Sequence, residues 1–169
     1  MAPEKHVNMP KRFIHFLLLA FMVLILDQAT KHGIEALFEY AEVRTVIPGF
    51  FDLTLRYNPG AAFSFLADAG GWQRYFFTGL ALVVSVVLVF LIKKHQAETR
   101  YAIALSLILG GALGNAIDRM VFGHVIDFLL FHWNHRWYYP AFNIADSAIC
   151  IGAVLMVIDS FKKPEFVSK

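Results

Sequence analysis

Three carboxylates, Asp118, Asp127 and Asp146, fall between Gly110 and Ile149, in or beside segments otherwise apolar enough to sit in lipid. An ionised side chain within a bilayer costs roughly 2.5–3.5 kcal/mol on insertion scales, so such residues face a protein interior or a water-filled cavity, and they mark a functional site. Asp127 and Asp146 have no Lys or Arg within four residues, and their apolar neighbours raise proton affinity by desolvation. Two carboxylates converging in a poorly hydrated site share a proton, because like charges at close range cannot both ionise. One then acts as base and the other as acid, which suits amide hydrolysis. The ionised Asp takes a proton from water, the water attacks the carbonyl, and the protonated Asp stabilises the oxyanion and delivers a proton to the amine. Asp118, with Arg119 beside it, reads as readily as a structural group, an ion pair or a helix cap, as it does as part of the functional site. Asp27 and Lys31, at i,i+4 spacing, read first as a structural pair on one helix face.

Other chemistries fit less well. His124, His132 and His135 lie near the Asp residues, but no H-E-x-x-H is present and interfacial loop histidines are more often solvated than ligating, so no metal centre is expected. A Ser-Lys hydrolase would draw on Ser64 or Ser147 with Lys31, yet no spacing favours it and Lys31 already has Asp27. A transporter using the carboxylates as a proton relay needs polar residues through the membrane midplane, and the inner halves of the second and fourth apolar segments offer almost none.

The elements that must position these groups follow from hydropathy. Hydrophobic residues make up 58% of the chain and charged ones only 17%, with a mean hydropathy of +0.57, a balance seldom found in a soluble domain. The reading is a single integral membrane domain over residues 1–169, an all-α bundle of four transmembrane helices over about 13–32, 75–92, 101–119 and 142–160. The first run, Phe13 to Leu26, has no A-x-A site after it and continues through Asp27 and Lys31, as a retained helix does. Gly110 and Gly114 form a small-xxx-small pair that admits a close helix partner. Between the last two helices the pattern is a hairpin, with Trp133, Trp137, Tyr138 and Tyr139 as an interfacial aromatic belt.

From about 43 to 66 the character changes. Phe51, Leu53, Leu55 and Tyr57 alternate with Asp52, Thr54 and Arg56, the period of a half-exposed strand, and Pro48-Gly49 and Asn58-Pro59-Gly60 supply turns. This loop forms a small β-cradle, and its Ala61-Ala62-Phe63 leaves room for a substrate backbone, though an ordinary hairpin would read the same. The formal charge of +2 is too slight for nucleic acid. Cys150, alone in an apolar run, reads as a packing residue. Four spans put both termini on one side. Nine basic residues (Lys5, Lys11, Arg12, Lys93, Lys94, Arg100, Lys162, Lys163 and Lys169) fall there against six opposite, which makes the termini cytoplasmic. Asp27, Asn58, Asn115, Asp118, Asp127, Asn143 and Asp146 then gather at the outer end.

In this order, on four helices, several short motifs together resemble the lipoprotein signal peptidase (signal peptidase II) family. They are Asp27 with Lys31, Asn58-Pro59-Gly60-Ala61-Ala62-Phe63, Gly114-Asn115-Ala116-Ile117-Asp118-Arg119, Val125-Ile126-Asp127-Phe128 and Phe142-Asn143-Ile144-Ala145-Asp146-Ser147. Ala116 departs from the pattern, where a larger aliphatic residue is expected. The resemblance implies a multi-pass aspartic endopeptidase of the bacterial inner membrane, with its active site at the periplasmic face. It implies cleavage of prolipoproteins just before a diacylglyceryl-modified cysteine, inhibition by globomycin, membrane lipids as partners, and no metal or other cofactor. It makes Asp127 and Asp146 the catalytic pair, with Asn58, Gly60, Phe63, Asn115, Arg119, Asn143, Asp27 and Lys31 lining or bracing the site and Asp118 structural.

Overall fold

A computed structural model describes residues 9–60 and 71–161. The Ala61 to Phe63 end of the turn motif, and with it the substrate contact expected of Phe63, lies outside the described residues. The chain runs α1 (Met9–Leu37), β1 (Val43–Ile47), β2 (Phe51–Asn58), α2 (Trp72–Lys94), α3 (Thr99–Val121), β3 (Val125–Trp133), β4 (Trp137–Tyr138) and α4 (Ile144–Ser160).

Three helices, α1 from Arg12, α2 and α3, have the length and apolar composition to cross a membrane. At 17 residues α4 is the shortest helix, spanning about 26 Å at 1.5 Å per residue, just under a hydrocarbon core of about 30 Å. α1 runs past the expected 13–32 at both ends and α3 past the expected 101–119, and Asp27, Lys31, Asp118 and Arg119 lie within them. Their polar groups find partners through their side chains and leave the backbone ladder intact.

α3 is the central helix, packed by α1, α2 and α4. Lipid gives helices no hydrophobic reason to associate, so close backbone approach must supply the contact energy. A Cβ on Gly110 would stand 2.5 Å from the Ala20 carbonyl of α1, and one on Gly111 would stand 2.4 Å from the Ala145 carbonyl of α4. The pair Gly110 and Gly114 therefore does admit a partner, α1, while Gly111 and the α4 residue Gly152 seat α4. Away from the polar end, Phe16, Ala20, Leu88, Ile92, Ala102, Leu105 and Leu109 fill the bundle core.

The strands form one antiparallel sheet in the order β1-β2-β3-β4. The hairpin between α3 and α4 is thus the other half of the same sheet. β3 is nearly continuously apolar because it is buried on both faces for most of its length. The alternation is inverted in the first half of β2, where Asp52 and Thr54 are buried and Phe51 and Leu53 only half so, while farther along Leu55 is buried and Arg56 exposed. Burial is possible because Thr54 donates to the Glu42 carbonyl at 2.7 Å and Asp52 meets His132 of β3. Two further expectations are corrected. His132 is buried rather than solvated, and Cys150 is exposed on α4 rather than packed.

If close approach at Gly110 holds α1 to α3, Gly110→Ala should lower the melting temperature in detergent by the equivalent of about 1–3 kcal/mol, the usual cost of overpacking. Gly33 of α1 has open space where a Cβ would stand, with nothing within 4 Å, so Gly33→Ala should be neutral or stabilising by up to about 1 kcal/mol through helix propensity. Equal effects of the two substitutions in thermal melts would contradict this packing.

Candidate active site

At one end of the bundle α1, α3, α4, β2 and β3 each contribute a polar side chain to a single network. Its centre is the Lys31 ammonium, 1% exposed, which stands 2.7 Å from Asp27 Oδ2, 2.8 Å from Asp118 Oδ2 and 3.0 Å from Asn115 Oδ1. An ammonium has three protons, and here each has an acceptor. The carboxylates also reach other elements. Asp27 Oδ1 accepts the Ala145 backbone N–H of α4 at 2.9 Å, and Asp118 Oδ2 accepts the Ile126 N–H of β3 at 3.2 Å. Gly114 is required in the same place, since a Cβ there would lie 2.4 Å from Asp27 Oδ2.

Asp118 therefore pairs with Lys31 and not with its neighbour Arg119. Adjacent residues on a helix point about 100° apart and do not face each other. Arg119 instead donates to the Gly60 carbonyl at 2.9 Å and to the Asn115 carbonyl at 3.2 Å, tying the turn after β2 to α3. Sequence reasoning passed over Gln28, whose amide donates to Asp118 Oδ1 at 2.7 Å. The only signal was an amide beside Asp27 in an apolar run.

Asp127 and Asp146 are brought together through Asn143. This residue caps α4, its Oδ1 accepting the Asp146 N–H at 2.9 Å, while its Nδ2 donates to Asp127 Oδ1 at 2.7 Å. Backbone pairing sets the approach: Phe142 exchanges bonds with Leu129 and also accepts from Phe128 N, so the start of α4 lies along β3. A bulge in β2, where the partners step from Leu53–Leu129 to Arg56–Asp127, falls beside the carboxylate. Asn58 completes the set. Its Nδ2 donates to Asp127 Oδ2 at 3.1 Å while its Oδ1 accepts the Gly60 N–H at 3.0 Å, so one amide fixes both the turn and the acid. Asn115 links the two halves, accepting from Lys31 and donating to Asp146 Oδ1 at 2.8 Å.

Asp127 is 3% exposed. Burial, and next the negative charge of Asp146, push its carboxyl up to about 7, against the opposing hydrogen bonds from Asn58 and Asn143 and the charge of Lys31. Near neutral pH such a pair holds one proton. A cavity of about 690 Å³ opens beside it, lined among others by Asn58, Asp127, Arg56, Tyr57 and Tyr139.

The model of the family described as Signal peptidase (SPase) II matches residues 19–162. A lipoprotein signal peptidase of Chromobacterium violaceum is 57% identical over 146 residues, 86% of this chain and 90% of that one. Another, from Ectopseudomonas mendocina, is 55% identical over 154 residues, 89% and 91% of the two chains. Among solved structures, a bacterial membrane enzyme determined by the in meso method superposes with a TM-score of 0.79 at 35% identity, covering 92% of this chain and 94% of the other.

Removing one partner of a buried ion pair strands the other charge and costs about 3–5 kcal/mol. Asp118→Asn and Lys31→Met should accordingly lower both folded yield and melting temperature in detergent. An Asp118→Asn protein as stable as the wild type would take Asp118 out of the framework and into the chemistry.

Proposed function

The chain belongs to the signal peptidase II family, and from that premise we propose that Asp127 and Asp146 are the catalytic pair of a membrane peptidase that removes signal peptides from prolipoproteins. One observation carries the assignment: Asn143 holds the buried Asp127 carboxylate and the backbone of the half-buried Asp146, with Asp127 pushed up to about 7 beside an open cavity. Asp127 holds the shared proton and Asp146 is the ionised partner. Asp146 takes a proton from water as the water oxygen adds to the scissile carbonyl. Asp127 donates its proton to the leaving amine as the C–N bond breaks, and the proton on Asp146 passes to Asp127, which restores the pair. Asn58, Asn115 and Asn143 hold the carboxylates in place, while Asp27, Lys31, Asp118 and Arg119, with Gly60, brace the elements that carry them.

The substrate is a precursor bearing a diacylglyceryl-modified cysteine. Its acyl chains remain in the outer leaflet of the inner membrane, and that anchoring brings the bond before the cysteine to the dyad. Phe63 is a further substrate contact on the strength of the family motif, and a globomycin-type cyclic peptide would compete for the same cavity. α4 is the fourth span, both termini are cytoplasmic, and the sheet forms a periplasmic cradle. The bias of basic residues and the exposed Trp133 and Trp137 near the polar end support that orientation. A protease site inserted in the β1–β2 turn should be cut from the periplasmic side of spheroplasts; protection there would reverse the topology.

Asn keeps the shape of Asp but exchanges no proton, so Asp127→Asn and Asp146→Asn should each reduce cleavage of a lipidated precursor by at least about 10²–10⁴-fold with melting preserved. Because the two act as one unit, the double variant should be little worse than either single. With Asp127 raised to about 7, kcat/KM should fall as pH rises through that value and the acid loses its proton. Substantial turnover by either single variant would refute the assignment.

A further inference from the structure

The sheet carries a second cluster of chemically capable side chains, which the hydrolytic reaction does not use. Asp52 of β2, His132 of β3 and His135 of the β3–β4 turn each present a ligand atom, and these atoms lie within 4.8 Å of one another. From Asp127 to His132 is five residues along β3, about 16 Å at 3.3 Å per residue, so the cluster is separate from the dyad.

Two observations distinguish it from an ordinary Asp–His pair. His132 Nε2 is 3.1 Å from Asp52 Oδ2, yet the two are misaligned for a hydrogen bond. Among the described residues, Asp52 Oδ1 and His132 Nε2 are both buried without a hydrogen-bond partner, on side chains 1% and 0% exposed. Orphaned buried polar atoms of this kind are rare and costly, because each forgoes its water without replacement. Their separation suits a shared ion: two ligand atoms each about 2.1 Å from a tetrahedral metal stand about 3.4 Å apart. The turn brings in the third donor. Asn134 and His135 take left-handed φ values of 45° and 57°, and the His135 ring stacks on that of His132 with centroids 4.2 Å apart. Both values are those of the central residues of a type I′ hairpin turn, closed by the Arg136 N–H on the Trp133 carbonyl at 2.9 Å, and that turn delivers His135 to the cluster.

We propose that Asp52, His132 and His135 form a binding site for a divalent transition metal of the Zn²⁺ class. Two imidazoles and a carboxylate are the donor set for such an ion, and three protein ligands leave one position to water on the cavity side, where Asp52 and His135 both line the wall. The ion would join β2 to β3 and the β3–β4 turn at the end of the sheet far from the dyad. It would brace the cavity wall and take no part in the proton transfers.

The test uses the full chain purified in detergent without a polyhistidine tag, stripped with EDTA and titrated with Zn²⁺ in a calorimeter, with a thermal melt at each end point. The wild type should bind one Zn²⁺ per chain at micromolar or lower concentration and melt at a higher temperature when loaded. Asp52→Asn and His135→Ala should each weaken binding at least about tenfold and remove the thermal shift. His135 is exposed, so its substitution keeps the fold even if Asp52→Asn does not. Absence of saturable binding by the wild type, or undiminished binding by His135→Ala, would overturn the site. The readout is metal occupancy, so neither result bears on the hydrolytic assignment.

Discussion

The polar end of this molecule depends on one buried cation. Lys31 lies in a helix that would otherwise expose its charge to lipid, and an unpaired ammonium there would be prohibitive. Asp27, Asp118 and Asn115 meet its three protons, and two of those acceptors pass the connection on to the backbones of α4 and β3. The elements bearing Asp146 and Asp127 are thereby held by a single charge cluster. Among the described residues no cation is bonded directly to the dyad, so Asp127 keeps a raised proton affinity while Lys31 acts on it only at a distance.

Such a network needs helix backbones close enough for short side chains to reach across. The glycines of α3 provide this. Gly110 and Gly114 bring α1 in and Gly111 brings α4 in, and Gly114 also makes the volume that the Asp27 carboxylate occupies. Packing and electrostatics are therefore one constraint: any side chain at Gly114 would push apart the ion pair that compensates the approach. In the opposite half of the bundle apolar side chains fill the core, with Gly152 of α4 set against the Ala104 carbonyl.

The sheet adds what the helices cannot. Through the bulge of β2 and the pairing of Phe142 with β3, it turns Asp127 toward the cap of α4 and builds a wall for the cavity. A carboxylate on a strand and another in the first turn of a helix approach from different directions. Asn143 can then bond to one side chain and to the backbone of the other without standing between them.

Hydropathy, the glycine spacing and the position of each carboxylate were legible in the sequence because each depends on residue type and local period. So was the i,i+4 pairing of Asp27 with Lys31, which a helix imposes by itself. Sequence could not show that Asp118 ignores Arg119 for a lysine on another helix, that Gln28 joins them, or that β3 completes the sheet of β1 and β2. Nor could it show that Asp52 and His132 are buried together against the pattern of alternation. Those facts are matters of which surfaces meet. A buried polar group is satisfied by whichever partner the packed backbones bring within about 3 Å, and that distance is set only when the helices and sheet have closed on one another.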